Sequence, residues 1–466
     1  MGVRLDWEIE SDQQSYGSKE DVKTARRRRG ARFRFIVILS IFIGLIALGV
    51  TLIRDRADQV TEAEQRQLLD IVDAEVAALR LGDWTAYSRL QRGASADEWL
   101  TIQRERFDAY QALKLESTIQ LTGQVLDLEI DGQRGRVHVQ EIIDGIPYTR
   151  IWFYWRWPDD QNQDNLPDGW RHGPPDYADF WGDEQTYESD QLTIVHRDVD
   201  TPFVAVLATQ LETWLQMGCD ILTCEQRPSI AVSIEPNTGL TTQWAQENQS
   251  QLRIQSPYVD GTRSDHPFTS DMQIEIASLL AERLVSQQLG GEPLYPSDAY
   301  YLRQAVISWM VGRFALVNTN SLLIESLATN YGNQAVGQLV SAMQPASAID
   351  VLSIVTQFPL AQSNLDWRDF LTWRLVLENE LVARGDSVNF MNLYDTHTQE
   401  GINLANTRYS QGEPAEPVVV VLVQTAQSDL DGTARLQVTA EFGIEGQTRQ
   451  EAIVFNLVNN IWQRGN

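Results

Sequence analysis

The feature that most constrains this chain is an uninterrupted apolar run, FIVILSIFIGLIALGVTLI, from Phe35 to Ile53. None of its 19 residues is charged, and only Ser40 and Thr51 carry hydroxyls. A helix rising about 1.5 Å per residue over that length matches the roughly 30 Å hydrocarbon core of a bilayer. A secretory leader has a shorter apolar region, about 7–15 residues, followed by a small-residue cleavage site. This run ends instead in Arg54-Asp55-Arg56. Residues 35–53 are therefore expected to be a transmembrane signal anchor.

Charge sets the expected orientation. Residues 1–34 hold nine Lys/Arg against six acids, a net +3, so the rest of the chain carries −30 of the total −27. Arg26, Arg27, Arg28 and Arg29 abut the apolar run. Basic residues at a membrane end stay on the cytoplasmic side, so the tail of residues 1–34 is expected there, polar and disordered. Each of these arginines is also worth roughly 1 kcal/mol against anionic headgroups. The bilayer is thus the first expected partner, and the bulk of the chain is expected outside the cytoplasm.

The acidic excess, 64 Asp and Glu to 37 Lys and Arg, argues against a nucleic-acid partner, because no basic face exists to displace counterions. Two cysteines in 466 residues exclude a disulfide scaffold and a Cys-rich zinc module. The outer part is expected to be α+β and multidomain.

Its first unit is expected over residues 57–188. Leu68, Leu69, Val72, Val76 and Leu79 recur at helical spacing over 57–82, and Gly82 ends the run. A short helix follows through Trp84, Tyr87 and Leu90, and a third begins near Asp97, a plausible N-cap. The period then changes to that of strands in TIQLTGQVLDLEI, RGRVHVQEII and YTRIWFYWRW. Asp131-Gly132 and Asp144-Gly145 separate them as hairpin turns. Asp160, Asn162 and Asp164 have the early spacing of a calcium loop, but Asn165 and Arg171 stand where Gly and Glu are needed, so a solvated loop is expected.

The helix ending LRLGDWTAYSRL and the aromatic strand followed by DGWRHGPPDYADFWGD resemble the nuclear-transport-factor-two-like, or SnoaL-like, family. That resemblance implies a cone-like α+β fold with a curved sheet. Some members of this fold are small enzymes with a pocket inside the sheet, and many are binding or assembly modules. Trp152, Trp155, Trp157, Trp170 and Trp181 are expected as core and rim of the cone, since aromatic side chains fill such a sheet.

The second unit is expected over 190–385. It opens strand–helix–strand, continues with a helix over 270–289 stopped by Gly290-Gly291, and then a helix over 298–315. Shorter helices are expected at 332–344 and 347–357, and a longer one from Asp366. This order, with YYLRQAVISWMVGRFA and YGNQAVGQLVSAMQPASAIDVL, resembles the peptidase MA-like gluzincin family. Active members carry H-E-x-x-H on the long helix, two His ligands sharing one face with a Glu base between them. A third ligand, a Glu, lies on the next helix.

This chain departs from that pattern at every ligand. The first motif aligns on Ile274-Glu275-Ile276-Ala277-Ser278, or alternatively on Ala281-Glu282-Arg283-Leu284-Val285, and both lack the two His. Gln304 stands where the third ligand would be. His138, His172, His196, His266 and His397 are scattered, with no partner at i+3 to i+5. Without about three protein ligands no zinc-bound water is activated. Ile274, Glu275, Ser278 and Gln304 are thus degenerate motif positions. No catalytic residue, metal or cofactor is expected, and the domain is expected to be a pseudopeptidase.

Cys219 and Cys224 are a candidate disulfide in an oxidising compartment. Five positions apart on one helix is too far for a bridge, so a turn is needed, and Gly218 is expected to end the helix there. Two reduced thiols are the alternative. Residues 386–466 begin with a helix-like stretch and continue as three antiparallel strands. They are expected as a β-rich unit, either a second cone-like domain or a sheet added to the middle one.

Together these features describe a single-pass membrane protein that binds a peptide, a protein or an envelope component outside the cytoplasm. The alternatives are a zinc metallopeptidase with unrecognised ligands, a small-molecule enzyme whose aromatic cavity is lined by acidic residues, or a structural envelope protein.

Overall fold

The computed structural model describes residues 59–91, 97–157, 169–174, 178–237, 240–247, 250–259, 262–263, 265–412, 418–426, 434–444 and 447–465, together with Leu39, Gly44, Thr51 and Arg56. The Arg26–Arg29 cluster, most of the apolar run and the Asp160–Asn165 loop lie outside them. Among the described residues no helix is long and apolar enough to cross a membrane. The chain divides into two compact units, Met1–Glu75 and Val76–Asn466. In the first, residues 59–75 are helical. The second is an α+β arrangement with three sheets.

Helical residues 76–81 (α1) end at Gly82, whose φ of +71° suits a residue without a Cβ. Asp83 then caps α2 (Trp84–Arg89) by accepting from Ala86 N at 3.0 Å. The long helix α3 spans Asp97–Glu116. Its Gln111 Nε2 and Lys114 Nζ donate to Leu79 O and Arg80 O, both at 2.9 Å, and satisfy carbonyls at the end of α1.

The expected strands form at β1 (Ile119–Asp131), β2 (Arg134–Ile143) and β3 (Ile146–Trp157), paired antiparallel in sequence order. Asp144 and Gly145, both at positive φ (51° and 82°), make the two-residue turn between β2 and β3. β4 (Gly169–Gly173) pairs with β3. Along β3, Ile151, Trp152, Phe153 and Tyr154 are all buried, so this sheet is covered on both faces. Trp152 and Tyr154 meet His172, while Phe153 and Trp155 meet Phe180 on the other side.

A mixed sheet comes next. β5 (Glu184–Glu188) pairs antiparallel with β6 (Leu192–Arg197), so it joins this sheet although it precedes the 188/190 junction expected from sequence. Helix α4 (Thr201–Leu222) then crosses to β7 (Ile230–Glu235), parallel to β6, the expected strand–helix–strand opening. β8 (Gln243–Trp244) and β9 (Gln251–Gln255) complete the sheet. The short β10 (Thr262–Arg263) instead pairs with β3, tying the middle region to the first sheet. One apolar core runs from Ile151 to Trp462 through all three regions.

The helices α5 (Ser270–Gln288) and α6 (Asp298–Ala315) form where the apolar spacing predicts. Thr269 and Ser297 cap them by accepting from Met272 N and Tyr300 N. Helix α7 (Leu322–Tyr331) is not anticipated from the sequence. Gly332, at φ +87°, both ends it and starts α8 (Asn333–Ala342). α9 is only Val351–Thr356, and α10 (Arg368–Arg384) begins two residues beyond Asp366, whose carboxylate accepts from Arg368 N.

The C-terminal helix-like stretch is split into α11 (Ser387–Met391) and α12 (Gln399–Gln411). The sheet beyond has four strands, not the expected three: β11 (Val418–Ala426), β12 (Arg435–Ile444), β13 (Gln447–Val458) and β14 (Ile461–Gly465). The last expected strand folds back at Asn459-Asn460, both at positive φ (51° and 62°), a geometry asparagine tolerates. In the core, Trp214 of α4 donates to Phe314 O at 2.7 Å and stacks on its ring.

Candidate functional site

The positions aligned on the peptidase motif, Ile274, Glu275, Ser278 and Gln304, do not converge on a site. On α5, Ile274 is 37% exposed and Glu275 faces solvent. Ser278 commits its hydroxyl to Ile274 O at 2.7 Å. In the alternative register, Ala281 and Val285 are core residues, and Glu282 is held by Arg303 of α6 at 3.1 Å. Arg303 is 5% exposed and also donates to Ser286 at 2.9 Å. Gln304 beside it is half-buried. The Arg303 guanidinium ties α5 to α6 and is also 3.5 Å from Glu292, so the Glu282 carboxylate is committed to an ion pair. Among the described residues no group of three or more His, Cys, Asp and Glu could hold a metal.

Cys219 and Cys224 form a disulfide with Cα atoms 4.9 Å apart. The turn that permits it is not at Gly218. Helix α4 continues to Leu222 and ends on Thr223 in the left-handed conformation, where Cys224 N donates to Cys219 O at 3.2 Å. Gly218 instead lies inside the helix because a Cβ there would meet Leu284 Cδ1 at 2.6 Å. Gly337 of α8 is the same device, since its Cβ would meet Ile221 O at 2.2 Å.

The structure does assemble a cavity, of about 290 Å³, between α2, α3 and one face of β3 and β4. Leu79, Trp99, Tyr110, Leu113 and Trp152 supply an apolar and aromatic wall. The polar groups are Gln103, Arg106, Arg150 and His172. Tyr258 and Val259, from the turn after β9, close one side. Trp152 is thus a cavity residue. Trp170 and Trp181, at 1% and 0% exposure, are core as expected.

Several polar atoms at this cavity are under-satisfied. Gln103 is 1% exposed and accepts from Tyr87 Oη at 2.7 Å, but its Nε2 has no partner. Arg150 Nε donates to Glu141, and its guanidinium lies 5.7 Å from the Tyr110 ring centre. Glu141 is 1% exposed and its Oε1 lacks a donor. Burial, then the Glu141 carboxylate, pushes the Tyr110 phenol up to about 12, so it is a donor and not a base at neutral pH. His172 sits among Trp99, Trp152 and Tyr154, with ring centres 5.2–5.7 Å away.

The wall at Tyr258 rests on a buried acid. Ser256 Oγ accepts from Tyr258 N at 3.3 Å and donates to Asp200 Oδ1 at 2.5 Å. Burial pushes the Asp200 carboxyl up to about 7, and the Ser256 hydrogen bond only partly offsets this. His138 and His196 are both pushed below the usual imidazole range by burial.

The cavity as a unit is not legible in the sequence. Trp152 is expected from sequence as core or rim, and acidic residues are expected if the first unit holds an enzyme site, whereas the lining contains two arginines and neither Asp nor Glu. The period of α3 could have shown Gln103 and Arg106 on the face shared with Trp99 and Tyr110. Nothing local could have brought Tyr258 to them. A second depression, about 470 Å³, lies between residues 360–368 and the outer strand β11. Comparison with models of known protein families, with characterised proteins and with solved structures finds no match for the chain.

Proposed function

We propose that this chain is a membrane-anchored, extracytoplasmic binding protein whose peptidase-like middle region performs no hydrolysis. Its ligand site is the cavity of the N-terminal cone-like sheet. One observation carries this reading: a preformed aromatic cavity whose buried Gln103 lacks a hydrogen-bond partner on Nε2. Unsatisfied buried donors cost roughly 1–3 kcal/mol each, so a site that keeps one gains when a ligand or water completes it. A small apolar cleft with a few convergent polar groups is the usual form of a small-molecule site.

The resemblance to the SnoaL-like fold supports placing a pocket there, and the gluzincin resemblance supports a peptidase-like framework; neither supplies a ligand. Arg303 between α5 and α6 supports the absence of hydrolysis, because it holds the one glutamate that the alternative register would make a base. The apolar run at 35–53 and the arginines before it support the anchor.

The test uses the full chain purified in lipid nanodiscs. Organic extraction followed by mass spectrometry should recover a co-purifying small molecule that is absent from the Ala109→Trp variant, in which an exposed residue at the cavity is enlarged. Zinc-dependent hydrolysis of casein by the same preparation would overturn the proposal in favour of the metallopeptidase.

A further inference from the structure

We infer that the cavity selects a compact carboxylate carrying an apolar or aromatic body, with Arg150 and Gln103 as its anchors. This rests on the cavity being the ligand site. The first support is the lining. The chain as a whole is at −27, yet the cavity wall holds Arg106 and Arg150 and no carboxylate. In an acidic protein such a wall is a local exception; because Glu141 pairs with Arg150 from outside the lining, what favours an anion is the donors the wall offers and not its net charge.

The second support is hydrogen-bonding capacity. Arg150 uses Nε for Glu141, and its two terminal nitrogens make no hydrogen bond among the described residues. Those nitrogens form the fork that matches a carboxylate in bidentate geometry. Glu141 holds the guanidinium at its Nε, which limits how far the fork can swing before a ligand arrives. Gln103 contributes the other donor: Tyr87 occupies one end of its amide, and the other end, Nε2, is buried and unpaired.

The third support is shape. Trp99, Trp152, Tyr110 and Leu113 form the remainder of the wall, and their flat faces suit a ring. At about 290 Å³ the cavity stands at the lower end of the roughly 300–1,000 Å³ typical of small-molecule sites, which restricts the body to about a single ring.

The experiment is fluorine NMR of the full chain in nanodiscs, with empty nanodiscs as the blank. The probes are 4-fluorophenylacetate and its neutral amide. The carboxylate should bind saturably and at least tenfold more tightly than the amide. Arg150→Lys, which keeps a cation beside Glu141 but loses the fork, should reduce that preference. The double variant Arg150→Gln with Glu141→Gln, which removes both charges together, should abolish it. Ala109→Trp should remove binding of both probes. Equal binding of acid and amide that survives the Arg150 variants but is lost in Ala109→Trp overturns the carboxylate inference and leaves the cavity reading intact. No binding of either probe, or binding that persists in Ala109→Trp, overturns both.

Discussion

Ser256 Oγ donates to Asp200 Oδ1 at 2.5 Å, and Asp200 is fully buried with its other oxygen unpartnered. The pair lies directly beneath the turn that carries Tyr258 and Val259 into the cavity wall. Asp200 is therefore where protonation, stability and the site meet.

Burial raises the folded-state pKa of Asp200 to about 7 from an ordinary value of 3.8, so the native state binds the extra proton between those values. Stability is then greatest at the acidic end, falls as pH rises through that window, and levels off above about pH 7. At roughly 1.4 kcal/mol per pKa unit the loss is about 4 kcal/mol as an upper bound. Asp369, raised to about 6 by burial, adds in the same direction. Urea denaturation at pH 5 and pH 8 should show this fall, and Asp200→Asn should flatten most of it. A slope unchanged in the variant would show that Asp200 is not the group responsible.

The Cys219–Cys224 disulfide closes a short loop at the end of α4. Reduction, or Cys219→Ser with Cys224→Ser, should cost about 2 kcal/mol, since short loops gain less from closure. The fold should survive, because Leu222 and Ile221 beside it stay packed in the core. The measurement is Tm with and without dithiothreitol; equal values in the wild type would show that the bond adds nothing.

Gly337→Ala should destabilise by about 1–3 kcal/mol, because the new Cβ meets backbone that cannot move aside. Gly443→Ala, where nothing lies within 4 Å of the added carbon, should change stability little or raise it slightly. If the two variants proved alike, close packing of α8 on α4 would not be the reason for Gly337.

Glu378 and Arg464 form a buried ion pair, and Tyr394 Oη donates to the same carboxylate at 3.0 Å. Arg464→Met strands a buried carboxylate and should cost about 3–5 kcal/mol. Adding Glu378→Gln should recover part of that loss in chemical denaturation. A double variant no more stable than the single one would count against a charge-pairing role.

The anchor proposal predicts that alkaline phosphatase fused after residue 466 is active in a bacterial host, where the enzyme folds only outside the cytoplasm. Replacing Arg26 to Arg29 with glutamate should lower that activity by weakening the orienting charge. An inactive wild-type fusion, present at normal levels, would place the bulk of the chain inside.

Much of the secondary structure is legible locally. α5, α6 and β1–β3 occupy the expected ranges because each repeats apolar residues at its own period and ends at recognisable turn residues. Legibility fails where one residue type serves two purposes. Gly218 looks like a helix end and is a contact surface. Asn459-Asn460 looks like strand and is a turn. α7 was within reach of the sequence, since Leu323, Ile324, Leu327 and Ala328 recur at helical spacing before Gly332.

The sequence by itself determined the elements of the α+β arrangement, the acidic excess, and the lack of an H-E-x-x-H pattern on α5, since all of these are properties of neighbouring residues. Only the tertiary structure decided the cavity. Gln103 comes from a helix, Arg150 and Trp152 from a strand, His172 from another strand, and Tyr258 from a turn about a hundred residues further on. Their meeting depends on the packing of α3 on the first sheet and on β10 pairing with β3. Such long-range contacts arise from packing complementarity across the whole core, and no periodicity in one stretch of chain records them.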